Sequence, residues 1–329
     1  MPVSIDHTAH PYLLDLIISY APLASLLQLR ATSRGFRERV RPRVERLLSR
    51  HLILTRTTSE DGDGDGLALY PPSKGRADPR WHIGIVPSTL VVLDVDVGEF
   101  VPHELATVTS TTSPALRTLR RFNWPTSSIF NPFTIPSVSL GTVVDFVDLS
   151  THPPLGSSAP LVDSGVTRHV LHVRWDTNAY APGSLGTLLA LPSVHEFVLA
   201  LWPFSVPKAP PPSTRVYVDL CCIFNSLIRA GERPLVTVVG LEHVDPNQIT
   251  EEREVPFKRG CFDATVAAFR EELQAQVALF RESGHAEEFA FECITFEEWH
   301  ERLGDDKDDI GVWPEEWKRR WVVVVGEQS

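Results

Sequence analysis

The stretch HVLHVRW, residues 169–175, is one of five short apolar runs that recur along the middle of the chain. The others are LVVLDVDV (90–97), LRTLRRF (116–122), VVDFVDL (143–149) and HEFVLALW (195–202). The runs are centred on residues 93, 119, 146, 173 and 198, so the steps between them are 26, 27, 27 and 25 residues. Each run is too short to stand alone, and the spacing leaves room for a return connection. The pattern predicts parallel strands joined by irregular or short helical crossovers.

These five runs resemble a degenerate leucine-rich-repeat array. The connections are rich in Pro, Ser and Thr, and no repeat shows the asparagine ladder of that family. The sequence therefore favours a parallel α/β sheet over a true leucine-rich solenoid. The resemblance implies that partners bind on one extended face of the array.

The pattern changes after Trp202, where a Pro-rich connector occupies residues 203–214. Strands are expected at PLVTVVG (234–240) and EFAFECI (288–294), and a long amphipathic helix is expected at 263–283. Other expected elements are a helical stripe at 217–228, a helix opening at Pro314 with Trp313, Trp317 and Trp321 on one side, and a final strand at 321–325. The alternation of strands and helices predicts right-handed crossovers and fold class α/β, or alternatively α+β.

Thr295 and Glu298 have the spacing of a capping box. Such a pair begins a helix, which is expected to run through Leu303 and to end at Gly304.

The first fifty residues contain three short apolar stripes at helical spacing. Pro11 suits the first turn of a helix, because its missing N–H costs nothing there. A second helix begins at Pro22, and Thr32 and Ser33 can cap a third, which Pro42 should kink or interrupt. A bundle this small and this rich in Leu and Ile leaves apolar surface exposed unless the rest of the chain or a partner covers it.

This helical stretch resembles an F-box, the module that docks a Skp-type adaptor into cullin–RING ubiquitin ligases. Pro11, Leu14 and Ile18 match the opening Leu-Pro-x-Glu-Leu-type helix of that family. Residues 26–30 (LLQLR) match its middle helix, and residues 32–37 (TSRGFR) match its closing motif. The chain departs from the family at His10, Leu13 and Ala21. Taken whole, it is similar to F-box-like proteins of basidiomycete fungi, which carry a variable domain behind this module.

The resemblance implies a substrate receptor that binds a Skp-type adaptor of an SCF cullin–RING ligase and presents a protein target whose identity the sequence does not indicate. The implied adaptor-binding residues are Pro11, Leu14, Ile17, Ile18, Leu26, Leu27, Leu29 and Phe36. The expected organisation is an F-box-like module at 1–50, a hairpin or flexible acidic loop at 51–80, and a parallel-sheet target-binding domain at 81–329. The alternatives are a helical cap on a non-ligase interaction scaffold, and a divergent α/β enzyme.

Composition narrows the class of partner. The chain has 329 residues and a net charge of −11, which argues against a nucleic-acid surface. The charge is uneven, +4 over residues 1–50 and −8 over residues 281–329. No apolar run is long enough to cross a membrane. The four cysteines, Cys221, Cys222, Cys261 and Cys293, lack disulfide or zinc spacing, which favours reduced thiols in the cytoplasm or nucleus.

Motifs for catalysis and cofactors are missing from the sequence. It has no GxGxxG after a strand, no GxxxxGK[ST] and no GxSxG, so we expect no nucleotide cofactor and no enzyme activity. His169 and His172 are three residues apart in an expected strand, so they should point to opposite faces and cannot share a metal. We expect one of them to be packed and the other exposed.

The segment SEDGDGDGLALYPP, residues 59–72, matches the pattern of a calcium-binding loop only in the first six loop positions. Asp61, Asp63, Asp65 and Gly66 occupy positions 1, 3, 5 and 6, but Pro72 stands where the closing bidentate Glu belongs. The Asp- and Gly-rich part of the segment lies between HLILTRT (51–57) and the short apolar run LALY (67–70). This pattern predicts a hairpin or acidic loop, and no metal site is expected.

Overall fold

A computed structural model describes the protein over a defined set of residues. These are 11–57, 66–71, 81–82, 86–96, 115–122, 140–148, 166–174, 194–202, 235–243, 263, 265–271, 274, 278, 291–306 and 310. The helical stripe expected at 217–228, the tryptophan helix after Pro314 and the strand at 321–325 lie outside the described residues. Residues 265–271 are helical, within the long helix expected at 263–283.

Ten described strands form one sheet in the spatial order β10-β9-β8-β7-β6-β5-β4-β1-β2-β3. They are β1 (His51–Thr57), β2 (Gly66–Tyr70), β3 (Trp81–His82), β4 (Val92–Asp96), β5 (Thr118–Phe122), β6 (Thr142–Asp148), β7 (Arg168–Arg174), β8 (Glu196–Trp202), β9 (Leu235–Val239) and β10 (Phe291–Ile294). Strand β1 and the seven strands β4 to β10 are parallel, whereas β2 pairs antiparallel with β1 and with β3. The fold class is therefore α/β with a mostly parallel sheet.

The segment after the first fifty residues forms the expected hairpin, since β1 and β2 pair antiparallel. Strand β1 also pairs in parallel with β4, so the hairpin belongs to the main sheet. Gly66, the sixth position of the calcium-like segment, begins β2 and pairs with Thr57. The second half of that segment is therefore a paired strand.

The strands from β4 onward follow one another in register and in chain order. Leu93, Leu119, Val143, His169 and Phe197 occupy one row across β4 to β8. The steps along this row are 26, 24, 26 and 28 residues, and they increase to 39 and 55 for the next two strands. The first half of the sheet is therefore close to an even repeat, and the second half carries longer connections.

The parallel strands also begin alike. The carbonyl of Arg117 accepts hydrogen bonds from both Gly141 N–H and Thr142 N–H, each at 3.0 Å. The same arrangement, one carbonyl bound by two successive N–H groups of the next strand, recurs at the carbonyls of Arg50, Val91, Gly141 and Thr167. The strands β4 to β8 therefore share one hydrogen-bonding pattern at their amino ends.

Side chains alternate between two faces of the sheet, and both faces are buried. One face, called the α4 face below, packs against α4 (Phe296–Leu303) and Ile310. Its buried residues on the sheet are Phe122, Val144, Phe146, Val170, Val198, Ala200, Val239 and Ile294. The opposite face buries the in-register row of Leu93, Leu119, Val143, His169 and Phe197, together with Val236.

Three helices precede the sheet: α1 (Pro11–Tyr20), α2 (Leu23–Thr32) and α3 (Arg34–Leu48). Ser33 caps α3, because its Oγ accepts a hydrogen bond from Phe36 N–H at 3.2 Å. Of the two predicted effects of Pro42, a kink or an interruption, the interruption is wrong, since α3 continues through Pro42 to Leu48. The core of this three-helix unit is formed by Ile18, Leu26, Val40, Val44 and Leu48.

Candidate functional site

The exposed side of α1 is strongly apolar. Six large apolar side chains, called the α1 patch here, are exposed on α1 and α2: Tyr12, Leu13, Leu16, Ile17, Tyr20 and Leu27. Ile17 is 51% exposed and Tyr20 82%. Because residues three and four apart share a helix face, Leu13, Leu16, Ile17 and Tyr20 lie together. A contiguous apolar surface of this kind is typical of an interaction site.

The eight adaptor-binding residues implied by the sequence fall into three groups. Ile17 and Leu27 are exposed and belong to the α1 patch. Ile18 and Leu26 are buried in the core of the three-helix unit, so they can support a docking surface only through the residues around them. The partly buried members are Leu14, Leu29 and Phe36, and Pro11 begins α1.

The implied adaptor-binding set omitted four residues of the α1 patch: Tyr12, Leu13, Leu16 and Tyr20. The segment PYLLDLIISY is apolar at most positions, so it carries two stripes, one for the core and one on the outside. In the first stripe Ile18 is buried and Leu14 is partly buried, and the second stripe is exposed. A helix that is apolar all round in a unit this small is the signal that would have indicated a second contact surface.

A cavity of about 260 Å³ lies between α4 and the amino ends of β7 to β10. It is called the α4 cavity below. Its lining residues are Arg168, Glu196, Val198, Leu235, Thr237, Glu292, Ile294, Trp299, Arg302, Leu303 and Asp306. Sequence reasoning missed this site because its lining comes from four strands and a helix that are joined by the longest connections in the sheet.

Four of the five charged residues described in the lining of the α4 cavity form two ion pairs. Arg168 Nε lies 2.6 Å from Glu196 Oε2, and these two residues face each other in the register of β7 and β8. Arg302 Nη1 lies 2.5 Å from Glu292 Oε1, which also accepts a hydrogen bond from Thr237 Oγ1 at 3.2 Å. Hydrogen bonding to Glu292 raises the pKa of Arg302. Both guanidinium groups are therefore matched by a carboxylate.

Helix α4 is fixed at its amino end. Thr295 and Glu298 form the capping box that the sequence predicts: Thr295 N–H donates to Glu298 Oε2 at 2.8 Å, and Glu298 N–H donates to Thr295 Oγ1 at 3.2 Å. Glu242 Oε1 accepts a hydrogen bond from Phe296 N–H at 2.8 Å. The backbone hydrogen bond from Thr295 lowers the pKa of Glu298, so this carboxylate stays ionised at the positive end of the helix dipole.

His172 holds the α4 face against the segment that follows α4. Its Nε2 lies 2.7 Å from the carbonyl oxygen of Ile310, and its Nδ1 accepts a hydrogen bond from Trp202 Nε1–H at 2.7 Å. These two partners assign the proton of the neutral ring to Nε2. The ring stacks on Phe146 at 4.4 Å, and Phe146 stacks on Phe122 at 4.5 Å. Burial lowers the pKa of His172 to about 3.

His169 points to the opposite face, as the sequence predicts. The expectation that one of the two histidines is exposed is wrong, because His169 and His172 are both buried. His169 Nε2 lies 2.8 Å from Asp145 Oδ2, and Arg121 Nε donates to Asp145 Oδ1 at 2.6 Å. Burial by itself raises the pKa of Asp145, but the charge of Arg121 and the hydrogen bond of His169 outweigh it, so the pKa is lowered.

A second buried carboxylate, Asp94, lies on the α4 face. It binds His51 Nε2 at 2.9 Å and Arg120 Nη2 at 3.1 Å. Burial again raises its pKa, and the charges of Arg120 and His51 lower it further than burial raises it. These two clusters satisfy buried charge inside the sheet, and we assign them a structural role.

Among the described residues, no group of three His, Cys, Asp or Glu side chains is arranged to hold a metal ion. Burial raises the pKa of Cys293 to about 11, so its thiol is protonated and a poor nucleophile at neutral pH. None of the helices in the described part of the chain combines the length and apolar character needed to span a bilayer.

Comparisons with protein-family models, with curated proteins and with solved structures gave no match for this chain. The α1 patch and the α4 cavity are therefore the observations from which a function can be inferred. One is an apolar surface and the other a polar cavity, and they lie on different parts of the chain: α1 and α2 in the first case, and β7 to β10 with α4 in the second.

Proposed function

We propose that the protein is a substrate receptor that docks a Skp-type adaptor of a cullin–RING ubiquitin ligase through the α1 patch. The observation that carries the proposal is the exposure of this patch on a helix whose other side is buried. Residues 11–37 also resemble the F-box motif, and three helices lie within residues 11–48. The receptor itself performs no reaction and acts by bringing a target close to the ligase.

We propose further that the sheet is a leucine-rich-repeat-like body that binds the target. Apolar residues recur in an L-x-x-L-x-L-like pattern, beginning at Leu90 in the first repeat and Val194 in the fifth. The residues that begin the five repeats, Leu90, Leu116, Leu140, Val166 and Val194, are all buried. The shared hydrogen bonding at the strand amino ends supports the same interpretation.

The repeat pattern is broken at three positions on the opposite face, by Arg121, Asp145 and His169. Asp145 binds both of the others, Arg121 and His169. The three polar departures from the pattern therefore form one cluster, and they leave the strand register intact.

The test of adaptor docking is co-elution of the full chain with a purified Skp-type adaptor. The variant Ile17→Asp, Leu27→Asp places two charges in the α1 patch and should abolish co-elution. The control is Leu235→Asp. Leu235 is also an exposed leucine, at 49%, but it lies in β9 and does not belong to the α1 patch. Thermal midpoints of both variants should match the wild type, since none of the three side chains is buried.

Three outcomes contradict the docking proposal. These are failure of the wild type to co-elute, retained binding by the double variant, and an equal loss of binding by Leu235→Asp. A protein that binds other partners through the α1 patch but no Skp-type adaptor would be an interaction scaffold outside the ligase system.

A further inference from the structure

We propose that the α4 cavity is a recognition site for one basic side chain, arginine or lysine, of a partner protein. The inference deepens the proposed receptor function, and it rests on that function for its biological meaning. The binding itself can be tested without the adaptor. The cavity then defines one feature of the target: an exposed basic residue that reaches the amino ends of β7 to β10.

The size of the cavity limits its occupant. Pockets for cofactors and drug-sized ligands measure about 300–1,000 Å³. At about 260 Å³, the α4 cavity falls below that range and suits a single side chain. Its lining also has an apolar part, formed by Val198, Leu235, Ile294, Trp299 and Leu303. A metal ion would gain nothing from these groups, whereas the methylene stem of lysine or arginine would lie against them.

The charge of the lining favours a cation. The two arginines, Arg168 and Arg302, are each matched by a glutamate. The fifth charged lining residue is Asp306, which is exposed and forms no ion pair with any other described residue. The described residues of the lining thus contribute two positive and three negative groups, or −1 in total.

The sequence around Asp306 is also rich in negative charge. Asp306 lies within DDKDD, residues 305–309, where four carboxylates accompany one lysine. The carboxylate of Asp306 in the lining, unpaired among the described residues, would attract a cationic side chain and repel an anionic ligand. Asp306 is the group we assign to the ammonium or guanidinium head.

The test uses the full chain and three short peptides at low ionic strength, with binding followed by ligand-observed NMR titration. The peptides are acetyl-Gly-Arg-Gly-amide, the same peptide with citrulline in place of arginine, and the same peptide with glutamate. Citrulline keeps the shape of arginine and removes its charge. The arginine peptide should bind at least tenfold more tightly than the citrulline peptide, and the glutamate peptide should not bind.

Two variants locate the site. Asp306→Asn should weaken binding of the arginine peptide at least fivefold, and Leu235→Lys should abolish it by placing a tethered cation in the cavity. The matched control is Glu301→Gln, because Glu301 is an exposed carboxylate of α4 that does not line the cavity. Both cavity positions are exposed, so the thermal midpoint should stay at the wild-type value and confirm folding.

The proposal is overturned if the arginine and citrulline peptides bind equally, if neither binds, or if the glutamate peptide binds best. It is also overturned if Asp306→Asn and Glu301→Gln have the same effect. Adaptor co-elution is measured in parallel with Asp306→Asn. If the arginine peptide fails to bind while adaptor binding is intact, only the cavity assignment is lost, and the docking proposal stands.

Discussion

Arg120 and Arg121 are neighbours in β5 and bind carboxylates on opposite faces of the sheet. Arg120 Nε lies 2.9 Å from Asp94 Oδ1, on the α4 face and in the preceding strand β4. Arg121 Nε lies 2.6 Å from Asp145 Oδ1, on the opposite face and in the following strand β6. Because successive side chains of a strand alternate, one dipeptide holds three strands together from both sides.

Each of the two carboxylates also binds a histidine, His51 for Asp94 and His169 for Asp145. One cluster therefore spans β1, β4 and β5, and the other spans β5, β6 and β7. Such clusters are costly to desolvate but also costly to break, because removal of one partner leaves a buried charge uncompensated.

The first prediction concerns the Arg121–Asp145 pair. Asp145→Asn should reduce the free energy of unfolding by about 3–5 kcal/mol, because Arg121 would stay buried without its counter-charge. Urea denaturation followed by circular dichroism measures the loss. The control is Glu45→Gln, which breaks the exposed Arg41–Glu45 pair and should leave the urea midpoint unchanged. Equal effects of the two substitutions would show that the buried pair has no special role.

The second prediction is a pH dependence that originates at His172. Its pKa is about 3 in the folded protein, against 6.5 for the ordinary side chain. Between these two values the unfolded chain binds a proton that the folded chain does not bind. The free energy of unfolding should therefore fall as the pH decreases from 6.5, by about 1.4 kcal/mol per pH unit for this one group.

The variant His172→Gln removes that titration while keeping a donor and an acceptor for Ile310 and Trp202. Its stability between pH 6.5 and 4 should decline less steeply than that of the wild type, as measured by urea midpoints in a pH series. The control, His195→Gln, replaces an exposed histidine and should follow the wild-type curve. Parallel curves for wild type and His172→Gln would rule out the assignment.

The sequence predicted the existence of the parallel strands well and their register less well. The expected runs at 90–97 and 143–149 correspond to β4 and β6 within two residues at each end. The expected steps of 26, 27, 27 and 25 were measured between centres of apolar runs, whereas the true steps are 26, 24, 26 and 28. Apolar runs extend beyond a strand by different amounts, so their centres do not give register.

The two candidate sites differ in how much of each could be predicted from the sequence. The α1 patch is local to one helix and its neighbour, so Ile17 and Leu27 could be identified from the sequence. The α4 cavity depends on contacts between distant segments: Thr237 reaches Glu292 only because β9 and β10 pair across a step of 55 residues. No spacing rule predicts such a contact, whereas the capping box of Thr295 and Glu298 is local and was predicted correctly.

The third prediction tests how α4 is positioned. Gly240 has φ of +92°, and a Cβ there would overlap the carbonyl oxygen of Leu201 and lie 2.5 Å from Cε2 of Phe296. Gly240→Ala should therefore cost at least about 1–3 kcal/mol from backbone strain alone. The displaced Phe296 should also weaken peptide binding in the α4 cavity.

Gly141→Ala is the matched control, since the nearest atom to its added Cβ would be the carbonyl oxygen of Arg117 at 3.9 Å. Thermal unfolding and the arginine-peptide titration are measured on both variants. Gly240→Ala should lose stability and binding, and Gly141→Ala should keep both. A Gly240→Ala protein with wild-type stability and binding would show that the turn after β9 and the Phe296 ring adjust freely.

The last prediction uses two adjacent leucines with opposite surroundings. Leu26 is fully buried in the core of the three-helix unit, and Leu27 is 38% exposed in the α1 patch. Leu26→Ala should lower the free energy of unfolding by about 2–5 kcal/mol, because it leaves a cavity among Ile18, Val40 and Val44. Leu27→Ala should change stability little and weaken adaptor co-elution instead. Urea denaturation and co-elution are measured on both variants. If Leu26→Ala retains full stability, or if Leu27→Ala is the more destabilising of the two, the division of this helix pair into a core side and a docking side is incorrect.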